Sequence, residues 1–439
     1  METMEKRAET TTEYQMTAVG FELADECSQM SFFVPGMEQI QSVSIKTGEE
    51  RYQIPTAVFK KKGGSQWLFG EEAIREAKKQ DGYLLTNLVS LYVQKEYVEI
   101  EGEVFETGQI LMLFLKKALH LLGRSCPGGK IGTVCFTVLQ PEKRLADFLR
   151  ELPKTISVIQ GPVLVQDYEE SLYHYIIRQE KDIWLYQVLL FWQQREALKV
   201  SRLEFDRRMR PMVASVSTVT EDAGFFEKKE PSLEDKKNMD AVFAEIAARN
   251  MKQSRISCVY LNGDGFYGEW MKESLEVLCD ESRVFQGKNL YTRGACYRAM
   301  KEEGMLSEDT TVFLGKEHIR YHIGLKLRDG ENGENEAIEW LVQAGTPWYE
   351  AEGEWEFLLD NTDRLTFVMR GLSGVQKEIV MELSDLPARP EKTTRLRMAA
   401  AFLDEKKWSV KVYDLGFGEI YPSTGKKWSG EWILGGVQE

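Results

Sequence analysis

The stretch GFELADECSQMSFF, from Gly20 to Phe33, decides how the first part of this chain is interpreted. Apolar residues stand on both sides of a short polar segment, which is typical of two β-strands joined by a sharp turn. Such a turn can hold a phosphate when its backbone N–H groups point at the anion and a glycine lets the backbone approach closely. The stretch therefore raises the question of whether this turn is a phosphate-binding hairpin.

Composition limits the classes of protein to which the chain can belong. With 439 residues, 43% of them hydrophobic and 29% charged, it is expected to fold as two or three globular domains. The formal net charge of -14 argues against nucleic acid as a partner, because phosphate contacts need clustered Lys and Arg.

The N-terminal segment lacks the pattern of a secretory signal, and the most apolar runs are too short or too charged to cross a bilayer. These runs are ILMLFLKKALHLLG and IWLYQVLLFW. The sequence thus predicts a soluble, cytoplasmic protein with no membrane partner. The six cysteines form no CxxC pair and the four histidines stand apart from them, so reduced thiols and no metal site are predicted.

The order of predicted elements divides the chain near residue 308. Up to that point strands and helices alternate, which favours α/β layers, and DIWLYQVLLFW with ALKVSRLEF is expected to form a hairpin. From 310 to 420, short alternating strands are separated by turn segments such as RDGENGEN and DNTD. This pattern predicts a second, β-sandwich-like domain.

Several segments, taken in order, resemble the actin-like ATPase superfamily and, within it, the DnaK-type heat-shock chaperones. The segments of the first part are VGFELADECS, IPTAVFKKKGGSQWLFGEEA, GTVCFTVLQPEKRLADFL, VIQGPVLVQDYEESLYHY and CVYLNGDGFYGEWMKESLEVLC. In the second part TVFLGKEHIRYHIGL, AGTPW, DLPARP and AFLDEKKWSVKVYDLGFGE follow the order of the chaperones' substrate-binding β-sandwich. The resemblance covers most of the chain.

The resemblance implies an α/β fold with a two-lobed, actin-like ATPase core of the ribonuclease H-like type. A C-terminal β-sandwich similar to the DnaK substrate-binding domain is expected to follow it. It also implies a bacterial, cytoplasmic protein. The implied boundaries are a polar leader at 1–16, the core at 17–308 with lobes at about 17–160 and 161–308, the sandwich at 309–421, and a tail at 422–439.

For the nucleotide, the resemblance points to a first phosphate hairpin and to one glycine-containing turn. The candidate cofactor-binding residues are Glu22 and Asp25 in the hairpin and Gly263, Asp264 and Gly265 in the turn. Ala24 stands where the family has glycine, and each carboxylate facing a triphosphate would cost about 1 to 4 kcal/mol at about 4 Å. For the turn NGDG, a plain strand-to-helix connection whose glycine has positive φ is favoured over a retained phosphate contact.

The groups that the family uses for hydrolysis are missing from the sequence. VLLFWQQREALKV stands where the family has a glycine-rich second phosphate loop, and no glycine occurs between Gly161 and Gly224. The family's catalytic lysine is also absent, because the matching segment reads TNLVSLYVQ. We therefore predict no catalytic residue and no cofactor, with residual binding of ATP or ADP with magnesium as the alternative.

For the β-domain, the resemblance implies a peptide-binding groove formed by loops at one end of the sandwich. The candidate peptide-binding residues are Leu365, Phe367, Val368 and Met369, although the alternation in LTFVMRG would bury half of them in any sandwich. Six C-terminal tryptophans could line such a groove or pack the interior. They are Trp340, Trp348, Trp355, Trp408, Trp428 and Trp432.

Three functional hypotheses follow. The first is a non-catalytic, DnaK-like pseudo-ATPase that binds a protein or peptide, including another DnaK-like protein, as a scaffold or chaperone-like factor. The second is a divergent, magnesium-dependent ATPase chaperone that uses Asp25 or Glu22. The third, a filament-forming actin-like protein, is disfavoured because every filament contact would need to accommodate the appended β-domain.

Overall fold

The quoted stretch forms the predicted hairpin in the computed structural model of this chain. Strands β1 (Thr17–Glu22) and β2 (Cys27–Phe33) pair in antiparallel register, with Gly20 opposite Ser31. Side chains alternate between the two faces of a strand. Phe21 is therefore buried on one face of β1, while Gly20 lies on the other face and adds no side chain at its position.

The structure describes residues 16–46, 49–79, 81–124, 130–194, 197–221, 231–252, 254–280, 282–307, 309–329, 335–359 and 362–434. Most of the predicted leader, part of the predicted tail and residues 222–230 lie outside these ranges.

The chain divides into two compact units. The first unit comprises residues 1–140, 144–178 and 289–308, and the second comprises residues 141–143, 179–288 and 309–439. The further strands of the first unit are β3 (Gln41–Ser42), β4 (Ile54–Pro55), β5 (Val58–Lys61), β6 (Trp67–Phe69), β7 (Gly82–Leu85), β8 (Tyr97–Ile100), β9 (Glu103–Glu106), β10 (Ile131–Thr137) and β11 (Val163–Gln166). The helices that begin before residue 179 are α1 (Gly70–Ala77), α2 (Leu88–Gln94), α3 (Thr107–His120), α4 (Lys143–Arg150), α5 (Leu152–Thr155) and α6 (Tyr168–Ile176).

The second unit contains a helical and sheet portion followed by an all-β portion. Its strands are β12 (Gln187–Gln194), β13 (Ala197–Asp206), β14 (Met212–Glu221), β15 (Ile256–Asn262), β16 (Arg283–Gly287), β17 (Thr311–Phe313), β18 (Tyr321–Asp329), β19 (Asn335–Val342), β20 (Glu352–Leu359), β21 (Arg364–Gly371), β22 (Gln376–Glu382), β23 (Thr394–Phe402), β24 (Lys407–Asp414), β25 (Gly416–Phe417), β26 (Tyr421–Pro422) and β27 (Lys427–Ile433). Its helices are α7 (Leu233–Met251) and α8 (Glu273–Cys279), and α9 (Leu290–Glu302) belongs to the first unit. In the part of the chain that the structure describes, none of these helices has the length and apolar character needed to cross a membrane.

The first unit and the second unit each contain a mixed sheet, and the two sheets share one topology. In the first, β1 and β2 are antiparallel neighbours, and β10 and β11 run parallel to β1 in the order β11-β10-β1-β2-β3. In the second, β12, β13 and β14 form an antiparallel meander, and β15 and β16 run parallel to β12 in the order β16-β15-β12-β13-β14-β17. The mixed α/β character predicted for residues 17–308 is thus present, as is the predicted β12–β13 hairpin.

Helix α9 packs directly on β1 and on α6 through two glycines. A Cβ added to Gly20 would lie 2.0 Å from the carbonyl oxygen of Thr292, and one added to Gly294 would lie 2.0 Å from that of Ser171. These distances leave no space for a side chain at either position. The sequence interpretation assigned 289–308 to the second lobe, whereas this contact joins α9 to the first unit.

The all-β portion consists of two four-stranded antiparallel sheets with orders β19-β18-β21-β22 and β20-β23-β24-β27. Their apolar faces form one hydrophobic cluster, at whose centre Trp408 is fully buried and lies edge-on to Phe367, with 4.9 Å between the ring centroids. Four other tryptophans pack against this cluster while remaining partly exposed: Trp348, Trp355, Trp428 and Trp432. Packing is therefore the observed role of these five tryptophans.

A buried ion pair joins the loop after β22 to the end of β24. Arg389 Nη1 lies 2.7 Å from Asp414 Oδ1, and both side chains are almost completely buried. Asp414 also accepts hydrogen bonds from the backbone and hydroxyl of Thr424 and from Gly416 N–H. Burial alone would raise the pKa of Asp414, but the bonds from Arg389 and Thr424 outweigh it and hold the pKa well below its usual range.

Gly20→Ala and Gly294→Ala should each destabilise the first unit, because the added methyl group would have to displace backbone rather than a flexible side chain. Overpacking of this kind costs about 1 to 3 kcal/mol or more. The measurement is the free energy of unfolding in urea. The control is Gly123→Ala, because a Cβ at Gly123 would meet no atom within 4 Å. Equal stability of all three variants would contradict the close approach of α9.

Arg389→Met should cost about 3 to 5 kcal/mol, because it leaves Asp414 buried and charged without its guanidinium partner. The control is Arg395→Met, which removes an exposed arginine 4.0 Å from Glu356 and should change stability by less than about 1 kcal/mol. Urea unfolding at neutral pH measures both variants.

The pH dependence adds a second criterion for the same ion pair. Because the folded pKa of Asp414 is depressed, the stabilisation by the pair is fully present above the ordinary aspartate pKa of about 4 and is lost as the pH falls below it. The difference between wild type and Arg389→Met should therefore shrink in acid. A difference that stays constant down to about pH 2 would contradict the assignment.

Candidate functional site

A row of polar side chains crosses the first-unit sheet where β1, β10 and β11 end. Gln29, Glu22, Thr137 and Gln166 are consecutive cross-strand partners, so their side chains lie on one face. Gln29 and Gln166 each bury an amide oxygen that has no hydrogen-bond partner among the described residues. The predicted residue Glu22 is therefore part of a larger polar row.

Glu22 is held by a tyrosine from the start of α6. Tyr168 O–H donates to Glu22 Oε1 at 2.9 Å, and the Tyr168 ring packs edge-on against Tyr291, with 4.5 Å between the centroids. Burial raises the pKa of Glu22 to about 7, although the bond from Tyr168 opposes the shift. Burial, followed by the nearby Glu22, raises the pKa of Tyr168 well above its usual value, so its hydroxyl stays a donor.

Asp25, the second predicted residue of the hairpin, binds the start of α2. One carboxylate oxygen of Asp25 accepts from Ser90 N–H at 2.9 Å, and the other accepts from the Ser90 hydroxyl. The residue that precedes α2, Asn87, has a φ of 51° and supplies no side-chain cap of its own. Asp25 therefore satisfies a free N–H group at this helix N-terminus from 65 residues away in sequence.

Helix α6 begins with further internal hydrogen bonds beside this row. Asp167 caps the helix by accepting from Glu170 N–H at 2.7 Å. The Ser171 hydroxyl lies 2.6 Å from Thr137 Oγ1 and accepts from Gln166 Nε2. Burial lowers the pKa of His174 to about 4, against the opposing effect of Glu170, so this imidazole is neutral near pH 7.

The predicted NGDG turn lies in the second unit, between β15 and α8. Gly263 has a φ of 120°, which favours glycine, and Asp264 Oδ1 lies 3.0 Å from Lys288 Nζ. Gly265 N–H donates to Gln193 Oε1 at 2.6 Å, and Gly265 C=O accepts from Trp270 Nε1. The amide of Gly265 is thus engaged by a side chain of the same unit.

Gln193 comes from the hairpin that stands in place of the family's second phosphate loop. Gln193 is the penultimate residue of β12. It lies so close to the turn that a Cβ added to Gly263 would be 2.7 Å from Gln193 Cβ. Before it, Phe191 and Trp192 are buried, and Trp192 Nε1 donates to the Ser201 hydroxyl. This hairpin therefore presents an amide side chain to the turn, where a glycine-rich loop would present backbone N–H groups.

The four predicted peptide-binding residues are interior residues of a strand, not loop residues. Leu365, Phe367 and Met369 belong to the hydrophobic cluster between the two C-terminal sheets, and Val368, on the opposite face of β21, is also buried. The period-two alternation of β21 explains the burial of Leu365, Phe367 and Met369, while Val368 is buried on the opposite face. A peptide-binding groove in this portion stays a prediction that rests on other side chains.

The residues that sequence reasoning missed are the partners of the predicted ones: Tyr168, Ser90 and Gln193. All three stand within segments that the resemblance singled out, but nothing in their spacing indicates which carboxylate or amide they contact. Within the described part of the chain, no group of three His, Cys, Asp or Glu side chains is arranged to hold a metal ion.

Two family models match this chain in succession. The first, described as the C-terminal part of a family of unknown function, DUF5716, matches residues 39–316, which is more than half of the chain. The second, described as a domain of unknown function, DUF8552, matches residues 318–434. The matches meet between β17 and β18, where the all-β portion begins. No curated protein matches the chain.

Glu22→Gln should remove a pH dependence of stability that the wild type has. The folded chain binds the Glu22 proton more tightly than the unfolded chain, because the pKa rises from 4.5 to about 7. The stabilisation is fully present below 4.5 and is lost as the pH rises through about 7. Between these limits the wild type should lose about 2 to 3 kcal/mol relative to Glu22→Gln.

The measurement is urea unfolding of both proteins over this pH range. The difference between them isolates Glu22, because His174 titrates in both. The matched control is Glu103→Gln, which changes an exposed carboxylate of the same unit. Parallel curves for wild type and Glu22→Gln would show that Glu22 has an ordinary pKa.

Proposed function

Because the chain belongs to the family described as DUF5716 C-terminal, whose description states no function, we propose a function from the residues themselves. The chain is a non-catalytic, DnaK-like pseudo-ATPase that acts as a protein- or peptide-binding scaffold or chaperone-like factor. The specific fold that we propose is a two-lobed, actin-like core followed by a β-sandwich that resembles a chaperone substrate-binding domain. It acts in the cytoplasm, without a nucleotide cofactor.

The strand order that the two mixed sheets share supports the proposed actin-like fold. Both mixed sheets have three antiparallel meander strands, with two further strands parallel to the first. A two-lobed core of the actin-like type is built from two such halves, as the resemblance implies. The two C-terminal sheets with one shared core support a sandwich after it.

The main observation in support of a protein that does not bind nucleotide is the hydrogen bond from Gly265 N–H to Gln193 Oε1. A phosphate loop works because backbone N–H groups are available to the anion. Here the amide oxygen of Gln193 takes up the N–H of the one turn that retains the family's glycines. Binding a phosphate at Gly265 would require that 2.6 Å bond to break.

The hairpin carboxylates support the same conclusion from the first unit. Asp25 is engaged at the N-terminus of α2 by two hydrogen bonds from Ser90, and Glu22 is hydrogen-bonded to Tyr168. Burial raises the pKa of Glu22 to about 7, and magnesium binds only the ionised carboxylate, so protonation competes with the metal at this position. Both carboxylates therefore act in folding.

The alternative is a divergent ATPase chaperone in which magnesium displaces these internal partners. It is favoured only by the presence of two carboxylates in one hairpin, Glu22 and Asp25. This alternative needs Asp25 to leave Ser90, so nucleotide binding would be coupled to release of the α2 N-terminus. The coupling makes the two functions separable by experiment.

Thermal unfolding with and without millimolar magnesium-ATP or magnesium-ADP should show no nucleotide-dependent shift. A ligand at about 100 times its dissociation constant would add about 2.7 kcal/mol of stability, which is easily resolved. Sodium sulfate at equal ionic strength controls for salt, and ATP with a chelator controls for the metal. A shift that needs magnesium and disappears in Asp25→Asn would establish the alternative function.

The proposed binding of a protein partner can be tested separately. The tagged chain, purified under mild conditions from cells that produce it, should carry a protein partner in fixed stoichiometry, identified by mass spectrometry and confirmed with the two purified proteins. A chain that purifies alone and hydrolyses ATP would contradict the scaffold function.

A further inference from the structure

One end of the second-unit sheet carries a cluster of arginines next to exposed aromatic and apolar residues. This is the end at which β12, β15 and β16 begin and at which the β13–β14 turn lies. We call it the arginine edge and define it by residues 184–186, residues 207–210, Arg255 and Arg283. None of the residues named in the proposed function belongs to the arginine edge.

Arg207 is held in place by its surroundings before any partner binds. Its Nη2 donates to the carbonyl oxygen of Trp184 at 2.8 Å, and its guanidinium lies 5.3 Å from the centroid of the Trp184 ring. Arg210 in turn donates to the carbonyl oxygens of Arg207 and Met209 at 2.7 and 2.9 Å. A guanidinium has five N–H donors, so these bonds leave others free for a ligand.

A second cation–aromatic pair flanks an exposed apolar residue. Arg255 lies 4.0 Å from the centroid of the Tyr186 ring. Leu185 and Tyr186 are 50% and 38% exposed, although both precede a buried strand. Arginine, tyrosine and tryptophan are enriched in the centres of protein interfaces, and prior ordering reduces the entropy lost on binding.

Three carboxylates at this end of the sheet have partners within the second unit. Asp182 lies 2.6 Å from Arg283, and Asp206 lies 3.3 Å from Arg208. Glu204 accepts from the side-chain amide of Gln187. In contrast, three exposed arginines make no ion pair within the part of the chain that the structure describes: Arg207, Arg210 and Arg255. They form a local excess of positive charge on a chain whose net charge is -14.

We propose that the arginine edge binds an acidic segment of another protein, with an apolar side chain of that segment against Leu185 and carboxylates on the arginines. Guanidinium and carboxylate pair in a bidentate geometry that also gives specificity. The inference deepens the proposed scaffold function and rests on it, because it names where the partner binds and what its chemistry is.

Charge decides among the possible occupants. A symmetric contact between two copies would place arginines against arginines, so a second copy of the chain is disfavoured. Nucleic acid and anionic lipid also need positive charge, but the net charge of -14 repels long polyanions and extended anionic surfaces. A short acidic segment with an apolar residue matches both the three unpaired arginines and the exposed Leu185.

The test uses the full chain and a fluorescein-labelled peptide with one central leucine flanked by glutamates. Fluorescence anisotropy should show salt-sensitive binding that weakens at least tenfold in the Arg210→Glu/Arg255→Glu double variant. The matched control is Arg364→Glu/Arg395→Glu, which makes the same charge change on exposed arginines of the all-β portion and should retain the affinity. Leu185→Ser, which keeps every charge, should weaken binding severalfold.

Each other outcome overturns the proposal. Equal loss in both double variants would mean net charge alone, and equal binding of a peptide with glycine in place of leucine would remove the role of Leu185. Tighter binding of oligothymidylate or of phosphatidylserine vesicles would assign the edge to nucleic acid or to lipid. A purified partner that binds the Arg210→Glu/Arg255→Glu variant normally would reject the arginine edge and leave the scaffold function intact.

Discussion

The close approach of α9 to β1 and α6 is the contact on which the architecture depends. At Gly20 and Gly294 the backbones of three elements meet with no space for a Cβ. The face between them is built from small residues such as Ala295, Cys296 and Ala299, all fully buried. Because α9 follows β16 in the chain, residues 179–288 of the second unit are inserted in sequence between two parts of the first unit.

Polar groups that are removed from water need hydrogen-bond partners, and each candidate nucleotide-binding residue with such a group has one inside the fold. A buried carboxylate without a donor destabilises the fold by several kcal/mol. The chain provides the donors itself: Ser90 for Asp25, Tyr168 for Glu22, and for the N–H of Gly265 the acceptor Gln193. Residues that resemble a nucleotide site thus contribute to stability without any nucleotide. Because these hydrogen bonds form without a bound ligand, they agree with the scaffold function that we propose.

The sequence predicted those parts of the fold that are encoded by local pattern. The β1–β2 and β12–β13 hairpins follow from the alternation of apolar and polar residues in the sequence. Glu22 and Asp25 were identified as candidate residues, but their partners lie 146 and 65 residues away, and local pattern carries no information on such distances. Likewise, the resemblance predicts groove-forming loops at Leu365, Phe367, Val368 and Met369, whereas these residues lie in strand β21. Alternation places Phe367 in the core, and Val368 on the opposite face of the strand is buried as well.

The two ends of the second-unit sheet differ in a way that bears on function. In open α/β sheets, ligands bind beyond the carboxyl ends of the parallel strands, where loops and helix N-termini converge. At that end of β12 and β15, Gln193 closes the glycine turn with a neutral amide and Asp264 is paired with Lys288. At the opposite end, three arginines keep unused donors beside Leu185. The edge that we propose for a protein partner therefore lies opposite the end at which open α/β sheets bind their ligands.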